Sequence, residues 1–128
     1  MEIASVFSYS LDNFPAVEVY QTMETIYLIS TTLEDKDAAH HLAAHLLDQR
    51  LIACAQITGP VTSLFRWQGE QTTAEEWLLT VKTAPHLAQA TKVEISQKHP
   101  YEVPEIIGQE VGDVSESYRT WLAEEVRP

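Results

Sequence analysis

The order of strands and helices between residues 24 and 111 constrains the fold of this chain more than any other feature. Glu24–Thr31 is rich in β-forming residues and predicts a strand that is buried on both faces. A helix is predicted over Asp35–Arg50, behind a capping box that begins at Thr32, because its apolar residues recur at helical spacing. Leu51–Ile57 predicts a second strand, which completes one strand–helix–strand unit.

The second half of the chain repeats this order. After an interruption at Gly59-Pro60, β character resumes at Val61–Trp67, and the polar segment Gln68–Thr73 predicts a hairpin turn. Glu75–Thr83 returns as a strand in which Glu76 and Lys82 share one face. A helix over Pro85–Gln97 and a strand over Ile106–Val111 follow.

Two such units in succession predict an α+β domain with a four-stranded antiparallel sheet and two helices on one face. In the second helix, the predicted inward residues are Leu87, Ala90 and Val93. A further C-terminal helix is predicted after Asp113, with an apolar stripe of Val114, Tyr118, Trp121, Leu122 and Val126.

Residues 1–22 precede this pattern and sustain neither a helical nor a strand period. We interpret them as an N-terminal extension that is poorly ordered or loosely packed, or as an over-long start. The folded domain is predicted to comprise residues 23–128, which is the size of one domain.

The charge balance argues against several classes of partner. Eight basic and nineteen acidic residues give a net charge of −11, which repels phosphate backbones and anionic lipid. We therefore expect neither nucleic-acid nor membrane binding, and no apolar run is long enough for a membrane span. The N-terminus does not resemble a secretion signal, and Cys54 is the only cysteine, so a cytoplasmic location is predicted.

The sequence lacks the common catalytic and nucleotide-binding motifs. Its best chemical set is Cys54, His99 and Glu76, whose thiolate, imidazole and carboxylate could ligate copper or zinc. The same residues could instead form a Cys–His nucleophile pair oriented by the carboxylate. A third interpretation is structural, with Cys54 as a small buried hydrophobe and His99 bonded to backbone.

Other residues admit both functional and structural interpretations. Lys82 could bind an anionic ligand or pair with an acid. The predicted first helix carries a polar flank that could chelate an ion weakly but is more typical of a solvated face: Asp37, His41, His45 and Asp48. Core packing, supplemented by a subunit contact, explains the aromatic residues Phe65, Trp67, Trp77, Tyr101 and Trp121.

Four motifs in this order resemble the CutA family of divalent-cation tolerance proteins: LIACAQITGPVTSLFRWQG, EWLLTVKT, HPYEVPEII and YRTW. The resemblance runs from about Glu24 to Leu122. It implies a ferredoxin-like fold in a tight homotrimer, with the hairpin around Gly69 reaching a neighbouring subunit. It also implies copper binding, attributed to some members, and no settled enzymatic activity.

By position, the resemblance implies metal ligands at Cys54, His99 and Glu76, and ligand-binding residues at Trp67, Lys82, Tyr101 and Glu105. Tyr118 and Trp121 would serve packing. The chain departs from the family at Phe65 and at Gln68, where a tyrosine and a glutamate are usual, and the second change removes a candidate cation ligand.

We therefore expect a cytoplasmic homotrimer without catalytic residues that binds divalent metal, copper first and zinc second, and contributes to metal tolerance or response. An alternative is a regulatory or scaffold trimer whose intersubunit cleft binds a small metabolite or a partner protein. A Cys–His enzyme is a third class.

Overall fold

The computed structural model describes residues 4–9 and 17–128, in which a four-stranded antiparallel sheet of order β4-β5-β3-β6 carries the helices. This confirms the predicted α+β, ferredoxin-like class. The elements are β1 (Ala4–Tyr9), β2 (Val17–Thr22), β3 (Ile26–Leu33), α1 (Lys36–Asp48), β4 (Cys54–Trp67), β5 (Glu70–Thr83), α2 (Ala88–Lys98) after a 3-10 turn at Pro85–Leu87, β6 (Ile107–Val111) and α3 (Glu116–Glu125).

The start of α1 is capped by Asp35, not by the predicted Thr32, which still belongs to β3. The Asp35 carboxylate accepts a hydrogen bond of 2.7 Å from the backbone N–H of Ala38, and thereby satisfies one of the free donors of the first turn. The predicted stripe does face the core, where Ala39, Leu42, Ala43 and Leu46 are buried.

The inward face of α2 differs from the prediction. Val93 is 44% exposed and Ala90 is exposed, whereas Thr91 is fully buried. The Thr91 hydroxyl lies 2.7 Å from the carbonyl oxygen of Leu87 and 3.3 Å from that of Leu51, so its polar atom is satisfied inside the protein. Of the three predicted inward residues only Leu87 is buried, and a search for apolar residues alone missed Thr91.

The hairpin of β4 and β5 is longer than predicted. β4 continues through Gly59 and Pro60, with a register shift between Thr58 and Val61. The turn consists of only Gln68 and Gly69, at φ of 51° and 83°, which is the left-handed backbone of a tight hairpin turn. Because β3 pairs with β5 only from Trp77 onward, residues 61–76 form a two-stranded projection, called the arm below.

The two faces of the sheet have different roles. Toward the helices, Ile29, Leu33, Leu79 and Val81 are at most 1% exposed and form the core with residues from α1 and α2. The opposite face carries Glu76 and Lys82 on β5, as the alternation along this strand predicted.

The C-terminal helix α3 begins at Glu116, with Ser115 before it, and not directly after Asp113 as predicted. Its end is fixed by Arg50, whose guanidinium donates hydrogen bonds of 3.1 Å to the carbonyl oxygens of Glu124 and Glu125. Cationic donors are favourable at this end of a helix. On α3, the Tyr118 ring lies 5.6 Å from Lys82 Nζ, at the end of the sheet where β4 begins, and the half-exposed Trp121 packs 5.4 Å from this ring.

The predicted extension contains two described strands, although its sequence shows no sustained period. β1 pairs antiparallel with β2, with Ala4 opposite Thr22, in a sheet separate from the main one. Residues 1–3 and 10–16 lie outside the described residues, so the loose packing and the over-long start stay predictions. Among the helices of the described ranges, none has the length and apolar character needed to cross a membrane.

Candidate functional site

A cleft of about 680 Å³ opens where the arm meets the segment that follows α2. Four of the predicted site residues line it: Trp67, Glu76, Tyr101 and Glu105. The remaining wall consists of Thr32, Ser63, Leu64, Phe65, Thr72, Glu102 and Val103. The volume is in the range of sites that enclose small ligands. We call this space the cleft.

Glu76 lies in the wall of the cleft, at the base of the arm, and is 8% exposed. Its Oε2 accepts a hydrogen bond of 2.9 Å from the hydroxyl of Tyr101. Burial, and then this hydrogen bond to the carboxylate, raise the pKa of Tyr101 well above its ordinary range. The phenol therefore stays protonated and acts as a fixed donor to the acid.

His99 is also buried, at 8% exposure, but both ring nitrogens are engaged within the chain. The backbone N–H of Tyr101 donates to Nδ1 at 3.1 Å, so Nδ1 is an acceptor. Nε2 then carries the proton and donates to the Thr32 carbonyl oxygen at 2.8 Å. Burial lowers the pKa of His99, which favours this neutral form. No free lone pair of the ring points at a metal.

Cys54 and Lys82 lie elsewhere, opposite each other on β4 and β5. Lys82 Nζ is 5.6 Å from the centre of the Tyr118 ring. Burial raises the pKa of Tyr118. The charge of the Cys54 side chain, and a hydrogen bond with it, raise this pKa further. Lys82 lies six residues along β5 from Glu76, which is roughly 20 Å of strand.

Within one chain, the predicted metal set therefore divides into two groups. Glu76 and His99 lie on either side of Tyr101, whereas Cys54 lies at the other end of the sheet. His99 is hydrogen-bonded to Thr32 on β3. The residue of β3 that pairs with Lys82 is Leu28, four residues away, which is roughly 13 Å of strand. This separation also divides the predicted Cys–His nucleophile pair. Both predictions now need donors from a neighbouring chain.

The described part of a single chain contains no ready-made metal site. Over residues 4–9 and 17–128, no three His, Cys, Asp or Glu side chains are grouped closely enough to hold an ion. The polar flank of α1 behaves as a surface: His41 is exposed, and His45 Nε2 lies 3.5 Å from Glu94 of α2. The donors in one chain thus do not fit the copper site that the sequence predicts.

Some cleft residues were not selected from the sequence. Glu102 and Val103 lie in the stiff HPYEVPE segment, between the selected residues Tyr101 and Glu105. Their position in this segment could have identified them as cleft residues. Ser63, Leu64 and Thr72 come from the arm, whose length was not evident from residue patterns. Thr32 was assigned to a helix cap, which concealed its place at the end of β3.

The electrostatics of the cleft are acidic. Glu76, Glu102 and Glu105 line it, and among the described lining residues none is basic. The rings of Phe65, Trp67 and Tyr101 form the other notable part of the wall. Such an arrangement attracts cations and disfavours anionic ligands.

Comparison with known proteins gives the family. The profile of the family described as "CutA1 divalent ion tolerance protein" matches residues 27–125, so the chain belongs to this family. It is similar to the divalent-cation tolerance protein CutA of Thermus thermophilus, with 38% identity over 80% of this chain and 97% of that protein. The Pyrococcus horikoshii protein of the same name is 36% identical over 78% of this chain and 97% of its own length.

Solved structures agree with the fold. CutA1 of Ehrlichia chaffeensis matches with a TM-score of 0.79 and 29% identity, over 84% of this chain and all of that chain. A CutA of Archaeoglobus fulgidus, described as a periplasmic divalent cation tolerance protein, matches with a TM-score of 0.77 and 27% identity, over 80% and 99% of the two chains.

Proposed function

We propose that this chain is a non-enzymatic homotrimer that binds divalent cations, copper first and zinc second, and contributes to metal tolerance or response in the cytoplasm. Membership of a family named for divalent ion tolerance supports the cation. The separation of Cys54 from His99 within the chain supports a role without catalysis. The single cysteine supports a reducing compartment.

The observation that carries the proposal is the buried Glu76 carboxylate in the wall of an acid-lined cleft. Glu76 is 8% exposed, and the described contacts give it a neutral donor, Tyr101, rather than a cation. A buried carboxylate is costly unless it is paired, and Glu102 and Glu105 add negative charge nearby. A bound cation would compensate this charge.

The arm supports assembly. A two-stranded ribbon is only marginally stable alone, and this one exposes 65% of Leu64 and 46% of Trp67. In a homotrimer, a neighbouring chain would cover these side chains and the free edges of the arm. A neighbouring chain would also bring further donors to the cleft, which one chain does not supply.

The assembly is tested by light scattering of the purified chain at micromolar concentration. The proposal predicts a molar mass three times the 14.4 kDa of one chain. Leu64→Asp is expected to dissociate the trimer, since it places a charge where an apolar contact is proposed. The exposed Val93→Asp on α2 serves as the matched control and should leave the mass unchanged. A monomer in the native chain contradicts the assembly.

Cation binding is tested by calorimetric titration with Cu²⁺ and Zn²⁺. Glu76→Gln keeps the shape of the side chain but removes its charge, and should weaken Cu²⁺ binding at least tenfold, about 1.4 kcal/mol. Glu110→Gln, an exposed acid on β6 outside the cleft, should bind as the native chain does. Cys54→Ala and His99→Gln show whether these donors take part across subunits. Equal affinity in Glu76→Gln and native chain overturns the cleft as the site.

A further inference from the structure

The acids of the cleft differ in how accessible they are. Glu76 is buried and is held by the hydroxyl of Tyr101, whereas Glu102 and Glu105 are exposed. Among the described residues that line the cleft, none is basic, so the chain itself places no cation between these carboxylates. Like charges that share a cleft repel each other, and a cationic group from outside the chain would relieve this repulsion. The two exposed acids are the ones that a large cationic side chain can reach.

Few basic side chains of this sequence are free to supply that group. Five of the eight are engaged within the chain, over aromatic rings or with backbone carbonyl oxygens: Lys36, Lys82, Lys92, Arg50 and Arg119. Arg66, Lys98 and Arg127 remain. Of these three residues, Arg66 is the one that belongs to the arm, the part of the chain that projects from the sheet.

The arm holds Arg66 away from the cleft of its own chain. Arg66 pairs with Gln71 near the tip of the arm, and it is exposed. Strand alternation points its side chain to the face of β4 opposite Phe65 and Trp67, both of which line the cleft. Arg66 is five residues along β4 from Val61, roughly 17 Å, so its guanidinium extends beyond the main sheet and toward a neighbouring molecule.

We propose that Arg66, on the arm of one chain, pairs with Glu102 and Glu105 at the cleft of the neighbouring chain in the homotrimer. The inference rests on the homotrimer of the proposed function, and it leaves Glu76 to the divalent cation. In a ring of three chains, each arm meets the cleft of the next chain, so every arm and every cleft is used once and the assembly closes.

The chemistry of the guanidinium suits this pair of acids. Its five N–H donors lie in one plane and can bind two carboxylates at once. Glu102 and Glu105 are three residues apart in the stiff segment after α2, and their spacing is therefore restrained. An exposed ion pair contributes little, whereas a pair enclosed by a subunit contact is stronger and fixes which surfaces meet. The exposed side chains of Leu64 and Trp67 on the arm would supply the apolar part of the same contact.

The test is a charge swap in the full-length chain. Light scattering follows the trimer mass on dilution and in increasing urea, at low ionic strength and at matched protein concentrations. Arg66→Glu should lower the trimer association constant about a thousandfold, because each of three equivalent contacts loses about tenfold. Arg127→Glu makes the same charge change at an exposed position outside the arm and should dissociate as the native chain does.

The second half of the swap identifies the partner acids. Adding Glu102→Arg or Glu105→Arg to Arg66→Glu should restore at least tenfold of the lost association, because the attraction is re-formed with the charges exchanged. Adding Glu110→Arg makes the same change of net charge on β6, outside the cleft, and should restore nothing.

The outcomes separate this inference from the proposed function. A native trimer with undiminished association in Arg66→Glu, or a loss that neither cleft swap restores, overturns the arm contact and leaves the homotrimer standing. Equal restoration by Glu110→Arg reports a general charge effect and also overturns it. A monomeric native chain contradicts the homotrimer and the contact together. Cu²⁺ is titrated into the same native sample, and a trimer that passes the swap but binds no copper contradicts only the cation part of the proposed function.

Discussion

The hydroxyl of Tyr101 donates a hydrogen bond of 2.9 Å to the carboxylate of Glu76, and this contact joins the segment after α2 to the base of the arm. Trp77, the next residue on β5, packs against the core on the opposite face. The cleft is therefore anchored on one side to the hydrophobic core and on the other to a stiff segment with Pro100 and Pro104. A ligand would meet a wall that is already in place.

Tyr101→Phe should lower the free energy of unfolding by about 1–2 kcal/mol, because it leaves the buried carboxylate of Glu76 without its donor. Glu76→Gln can keep a hydrogen bond with the phenol and should cost less. Denaturant unfolding at a fixed protein concentration measures both. A double-mutant cycle of Tyr101→Phe with Glu76→Ala, which removes the acceptor, gives the coupling energy, which we expect near 1 kcal/mol. Strict additivity would show that the contact contributes no coupling.

Stability should fall as the pH drops below 6.5, in part through His99. The pKa of His99 is lowered in the folded chain, chiefly by burial, so the unfolded state takes up a proton first. The stability that neutral His99 contributes is therefore fully present above pH 6.5, the pKa of the unfolded state, and is lost as the pH falls through the lower pKa of the folded state. Unfolding curves from pH 7.5 to 5 should show a smaller loss in His99→Gln. A native slope in His99→Gln refutes the assignment.

Gly108→Ala should destabilise the fold by about 1–3 kcal/mol, since a Cβ at this position would lie 2.5 Å from Cε1 of the Tyr27 ring. Tyr27 on β3 packs against the core and its ring lies 5.8 Å from Lys92 Nζ, so a shift of the ring would disturb both contacts. Gly112→Ala is the matched control, because the nearest atom to its Cβ would be Thr25 Cγ2 at 3.8 Å. Thermal unfolding of the two variants should differ; equal melting temperatures would contradict the close packing.

From residue 24 onward the order of elements was predictable, because strand and helix periods differ there, whereas residues 1–22 show no sustained period and their two strands were not predicted. One error arose where a polar residue, Thr91, occupies a core position that an apolar residue was expected to fill. Thr91 is buried because its hydroxyl finds carbonyl oxygens of Leu87 and Leu51, and apolar periodicity does not register such a residue. The continuity of β4 across Gly59 and Pro60 depends on pairing with β5, which is a tertiary effect.

The candidate site was predictable in part. Glu76, Trp67, Tyr101 and Glu105 were selected and lie together. Cys54 was joined to them by ligand chemistry and by the family resemblance, although strand spacing places it far from Glu76 within one chain once its register with Lys82 is known. His99 was selected as a ligand, but within one chain its hydrogen bonds with the Thr32 carbonyl oxygen and the Tyr101 N–H agree with the structural interpretation, in which His99 is bonded to backbone. The copper site assembled from these residues stays a prediction about neighbouring chains.

The most direct test of the account is a crystal structure of the chain soaked with Cu²⁺, with anomalous scattering recorded at the copper edge. The account predicts an anomalous peak inside the cleft, in coordination contact with the carboxylate of Glu76, and its loss in Glu76→Gln crystals. A peak confined to the surface of α1 near His41, or at Cys54 alone, with no copper in the cleft, would contradict it.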